Sequence, residues 1–116
     1  MYFMGKSGIV VGGTLINTLH GPDGGVVVEI RGEVDVASAD RLGQLLVDVA
    51  TRLRPTMIVV DLLHVTFIDS MGIGALASSA AVAHRHGVRF TVRHPSPFVA
   101  SQLRTTGLYD TLTADR

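Results

Sequence analysis

Between Ser38 and Leu62 the chain changes period, and that change narrows the folds open to it more than any other feature. Leu42, Leu45, Leu46, Val49 and Leu53 recur at helical spacing and form one apolar stripe. Ser38 is placed to cap this helix, Asp40 lies in its first turn, Arg52 and Arg54 suit the negative end of its dipole, and Pro55 stops it. Directly afterwards, Thr56 to Leu62 is a short apolar run rich in β-branched residues, the pattern of a central strand. Before the helix, Val26 to Arg31 alternates, with Val26, Val28 and Ile30 on one face and Val27, Glu29 and Arg31 on the other. A strand, a helical crossover and another strand imply a parallel βαβ connection.

The remaining segments extend this unit on both sides. Residues 1–13 carry scattered glycines and read as a flexible start, leading into a first strand near Thr14 to Leu19. Gly21-Pro22-Asp23-Gly24-Gly25 then turns the chain into a hairpin. After a loop through His64 to Ile68, a second helix runs from about Ser70 to His86 with Ile73, Leu76, Ala77, Ala80 and Ala83 on its buried stripe, and Gly87 ends it. Val88 to Arg93 alternates strictly, so Arg89, Thr91 and Arg93 are expected in solvent. Ser96 and Pro97 open a last helix that closes at Gly107, with Leu108 returning to Leu103, and Tyr109 to Leu112 is assigned a short edge strand. Two strands with one wet face each call for an uncovered sheet face. The fold class is therefore α/β, one domain over residues 14–116 with helices packed mainly on one face of a mixed sheet.

Several chemistries find no support. The 116 residues, 47% apolar, suffice for one core and one domain. Ten basic and ten acidic residues cancel, so no global field holds nucleic acid or an anionic membrane, and a partner is selected by shape. With no cysteine there is no disulfide, thiolate metal site or cysteine nucleophile, which fits a cytoplasmic setting, and no signal peptide or membrane span is evident. Gly5-Lys6-Ser7 lacks the preceding glycine and strand of a P-loop. Gly72-Ile73-Gly74-Ala75-Leu76-Ala77 fits G-x-G-x-x-A, but a loop separates it from its strand and no acid follows at ribose distance. His20, His64, His84, His86 and His94 share no metal-ligand spacing, and no nucleophile elbow occurs. No catalytic residue, cofactor or metal is assigned, and the chain is read as a binding module and not an enzyme.

Phe67 to Gly74 is different, because it places Asp69, Ser70 and two glycines where a loop becomes a helix. Taken alone, Asp69 or Ser70 as a simple N-cap of the second helix accounts for the pattern better than a functional site does. Read with Gly32-Glu33-Val34-Asp35, Ser38-Ala39, and Ser96-Pro97 through Thr106-Gly107-Leu108, the segment resembles the STAS domain of freestanding anti-sigma factor antagonists. The similarity covers most of the chain from about Thr14 onward.

The resemblance implies a partner switch. Such an antagonist binds an anti-sigma factor, typically a serine kinase with a histidine-kinase-like ATPase fold, and so frees a sigma factor for transcription. Phosphorylation at the start of the second helix reverses binding and a serine phosphatase restores it. A phosphate adds nearly two negative charges to a surface meant to be buried. The family's acceptor is generally the second hydroxyl after the acid, and here that position is Met71. Ser70 is the nearest hydroxyl, so either it takes over the role or the switch is absent. Partner contacts are expected from Asp35, Asp69, Ser70, Met71, Gly72 and Ile73, with Asp35 open to a second reading as the cap of the turn before the first helix and Asp69 as the cap of the second helix. A STAS module serving as a signalling scaffold or a small-ligand-binding adaptor is the alternative.

Overall fold

The computed structural model describes residues 6–21 and 23–114. The first five residues of the expected flexible start, Gly5 among them, and Pro22 of the expected turn lie outside that range. The strands are β1 (Lys6–Val11), β2 (Thr14–His20), β3 (Val26–Val34), β4 (Met57–Ile68) and β5 (Arg89–Arg93). The helices are α1 (Val36–Asp48), α2 (Ser70–Arg85), α3 (Pro97–Thr105) and α4 (Tyr109–Thr113). They build a five-stranded sheet in the order β1-β2-β3-β4-β5. Strands β1, β2 and β3 form an antiparallel meander, and β4 and β5 join parallel through α1 and α2.

Alternation fixes which face is the core. Ile16, Val28, Ile30, Ile58, Val60 and Val92 are buried against Leu42 and Leu46 of α1 and Ile73 and Leu76 of α2. Their neighbours on the opposite face, Leu15, Asn17, Val27, Glu29 and Val59, stay partly solvated. The helices thus pack mainly on one face of a mixed sheet, the arrangement that the wet-sided strands call for.

Four local expectations change. Residues 6–11 pair with β2 through the two-residue turn Gly12-Gly13, so part of the segment read as flexible is an edge strand; Gly-Gly here is a hairpin signal. The N-cap of α1 is Asp35 and not Ser38. Ser38 sits at N3 and completes a capping box, its hydroxyl accepting from the Asp35 N–H at 3.0 Å and its own N–H reaching the Asp35 carboxylate at 3.2 Å. The helix then ends in a π turn over Val49–Leu53 closed by Arg54 in left-handed conformation, which turns Leu53 outward. Strand β4 continues to Ile68, where a loop was expected. Between Glu29↔Asp61 and Arg31↔His64 it carries one residue more than β3, and a second extra residue lies between Gly32↔Val65 and Glu33↔Phe67. These bulges break the alternation that a sequence reading depends on.

The fourth change is Tyr109–Thr113, which forms a helical turn and not an edge strand. Leu112 inserts into the core, and its carbonyl accepts from the Thr91 hydroxyl at 3.4 Å, which is why Thr91 is buried on a face expected to be wet. Elsewhere the stop signals act as read. The Val88 N–H bonds Ala83 C=O at 2.9 Å after Gly87, and the Leu108 N–H bonds Leu103 C=O at 2.9 Å after Gly107, both Schellman closures. On α2, Ile73, Leu76 and Ala83 are buried, whereas Ala77 and Ala80 are only half-buried and line an open hollow.

Candidate functional site

Pairing of β3 with β4 brings the singled-out residues together. Val34 and Ile68 are register partners, and the Asp69 N–H donates to Val34 C=O at 3.2 Å. The next residues, Asp35 and Asp69, therefore follow the ends of adjacent strands, and α1 and α2 start side by side. Both aspartates cap. The Asp35 carboxylate is bonded by Ser38, whose backbone N–H and hydroxyl hold its pKa below the ordinary 3.8. The Asp69 carboxylate accepts the Gly72 N–H at 2.9 Å. Capping and display are compatible, since Asp35 is exposed and Asp69 half-buried.

Ser70 and Met71 occupy the first turn of α2 and face outward; Met71 is 56% exposed. Gly72 and Ile73, expected among the contact residues, are buried. A Cβ on Gly72 would lie 2.6 Å from Ile68 Cγ1 and 2.9 Å from Val34 Cγ1, so glycine there lets α2 begin against the ends of β3 and β4. These two residues position the turn from beneath and present nothing at its surface.

The sequence reading left three surface residues out of the site. Val36 at the start of α1 is 62% exposed, Phe67 at the end of β4 is 38% exposed, and Phe98 in the first turn of α3 is 51% exposed. Phe67 and Phe98 stack with ring centroids 6.0 Å apart. With Met71 they put apolar side chains at the starts of three helices and the end of β4. Phe98 carried a signal: it lies off the buried stripe of Val99, Ala100 and Leu103, and an aromatic so placed has no core to fill.

A separate polar cluster lies on the open sheet face. The Asp61 carboxylate takes the Leu63 N–H at 3.0 Å at the first bulge, Arg93 Nη2 at 3.3 Å and His94 Nδ1 at 3.3 Å. Burial pushes its pKa up, but these hydrogen bonds and the Arg93 charge outweigh burial and hold it below the ordinary value. The cluster braces the bulge. Among the described residues no three His, Asp or Glu side chains converge on a metal position, and no helix is long and apolar enough to cross a membrane.

The one-sided mixed sheet with its capped helices agrees with the STAS fold, and this chain belongs to that family: the family model described as Mlab, STAS domain matches residues 18–113. Among solved structures, it is similar to an anti-sigma factor antagonist from Mycobacterium paratuberculosis, with 31% identity over 84% of this chain and 82% of that one and a TM-score of 0.67. The fold is shared with the anti-sigma factor antagonist SpoIIAA in its unphosphorylated form, at 20% identity, 87% coverage of both chains and a TM-score of 0.76. It is also shared with a part of the murine anion transporter Slc26a9, at 21% identity over 79% of this chain and 15% of that one, with a TM-score of 0.66.

Proposed function

We propose that this protein is an anti-sigma factor antagonist, a cytoplasmic regulator of transcription that binds an anti-sigma factor of the serine-kinase type and so releases a sigma factor. The observation that carries this reading is that exposed Val36 and Met71 stand at the starts of the helices that Asp35 and Asp69 cap, with exposed Phe98 at the start of α3 stacked on Phe67; together they are read as an apolar rim. Exposed apolar groups set among polar ones are the anatomy of a protein-binding surface, and the two carboxylates select a partner with basic groups at its edge. Similarity to freestanding antagonists supports the choice of partner. The domain acts by binding, with no chemical step of its own.

Control at this surface differs from the family pattern. Met71 holds the usual acceptor position, and a thioether takes no phosphate. Ser70, exposed and one residue from Asp69, is the acceptor in this reading. A phosphate there would sit at the positive end of the α2 dipole without disturbing the fold, while placing charge and bulk on the docking rim. A serine phosphatase would reverse it.

The test is to purify the anti-sigma factor that co-purifies from native cells and titrate it calorimetrically. Met71→Asp is expected to abolish binding with an unchanged melting temperature; undiminished affinity overturns the rim as the docking surface. Incubation with that kinase and ATP, followed by peptide mapping, checks Ser70, and an unmodified Ser70 in a competent kinase reaction removes the phosphoregulated version. A small-ligand-binding adaptor is the second reading, favoured by the hollow of about 780 Å³ that Ala77, Ala80, Phe90, Leu108 and Leu112 line. Filling it with Ala80→Phe separates the two, since antagonist binding at the rim is expected to survive.

A further inference from the structure

Two glycines stand inside helices without a local reason to be glycine. A Cβ on Gly43 of α1 would meet only the Ala75 methyl at 3.6 Å, an ordinary contact, and one on Gly74 of α2 would meet nothing within 4 Å. Glycine weakens a helix interior relative to alanine, so each costs stability that the fold itself does not require. Both line the same groove between α1 and α2, about 480 Å³ in volume, which begins at Ser70 and Met71 and is therefore continuous with the rim.

A second observation is independent of the glycines. Ser79 also lines this groove, is 1% exposed, and its Oγ finds no hydrogen-bond partner among the described residues. A serine inside a helix commonly returns its hydroxyl to the carbonyl one turn back; this one does not. A buried hydroxyl left unpaired is unfavourable, and a polar group brought within its reach satisfies it. Asp40 is the one charged residue among those that line it.

We propose that the groove between α1 and α2 seats a helix of the protein partner. Small residues of that helix lie against Gly43 and Gly74, a polar side chain reaches Ser79 Oγ, and a basic side chain sits beside Asp40. Two helices that present glycine and alanine to a third allow close ridge-into-groove packing, and an amphipathic helix is the element that fills such a trough. The inference rests on the docking reading above and extends it from the rim along α2.

The purified anti-sigma factor of the serine-kinase type is the probe, titrated into the unaltered chain, Met71→Asp, Gly74→Gln and Ser79→Ala, with a melting curve for each. Gly74→Gln adds helix propensity and fills the groove, so its melting temperature is expected to rise while affinity falls more than about fiftyfold. Ser79→Ala removes an unsatisfied hydroxyl, so melting is expected to hold or rise while affinity falls about fivefold. Opposite signs for stability and affinity are not produced by a merely structural role. If Met71→Asp loses binding while Gly74→Gln and Ser79→Ala keep it, the rim stands and the groove proposal is overturned. If the unaltered chain does not bind, both fall together. If Gly74→Gln and Ser79→Ala instead abolish self-association on gel filtration, the occupant is a second copy and the partner helix is rejected.

Discussion

Gly32 and Gly72 show how single positions tie the sheet to the site. Gly32 has φ of +98°, and a Cβ there would collide with the Gly13 carbonyl oxygen, while a Cβ on Gly72 collides with Ile68 and Val34. Gly72→Ala is expected to cost about 1–3 kcal/mol, read from denaturant midpoints, because the neighbours it meets are core side chains with no room to turn. Asp69→Ala removes an acceptor from the Gly72 N–H and is expected to cost about 1 kcal/mol. Comparing its melting curve with its affinity separates capping from contact: a cap lowers the first, a contact the second. The cap role of this aspartate was legible from its place before a helical period. The burial of Gly72 and Ile73 was not, since it depends on how closely α2 approaches the ends of β3 and β4.

At the scale of elements, the caps and stops were readable because their chemistry is local. Ser96-Pro97 opens α3, and Gly87 and Gly107 close α2 and α3, each through bonds that span only a few residues. Strand β4 and helix α4 were misread because their conformation is set by distant partners. The Leu63 N–H, bonded by the Asp61 carboxylate at the bulge, has no signature in the run Leu62-Leu63-His64, and Tyr109–Thr113 is helical where Leu112 finds the core beside Thr91. Leu112→Ala is expected to destabilise by about 2–5 kcal/mol and to loosen β5, seen as faster amide exchange over Arg89–Arg93.

For the molecule as a whole, the carboxylates predict how stability responds to acid. Asp35 and Asp61 both titrate below the ordinary 3.8 in the folded chain. A depressed folded pKa means that the unfolded chain takes up protons first. The stability these groups contribute is complete above the ordinary value and is lost as pH falls through their lowered values. The melting temperature is expected to hold above about pH 5 and to fall below about pH 4. Asp61→Asn is expected to shrink that fall; an unchanged acid limb means that the cluster with Arg93 and His94 contributes nothing there. The proposed partner surface lies at the end of the sheet where α1, α2 and α3 begin, so losses at Asp61 are expected to leave Met71-dependent binding intact.

The sequence by itself determined the crossover, the capped helices and a sheet wet on one face. Periodicity records which side of an element is apolar, and capping records where it must end. Only the tertiary structure decided that Phe67 stacks on Phe98, that Val36 and Met71 stand exposed at the starts of α1 and α2 while Gly72 and Ile73 are buried, and that β4 runs on through its bulges. Those outcomes depend on strand register and on which helices share an end of the sheet, and neither quantity is written in the spacing of residues along one segment.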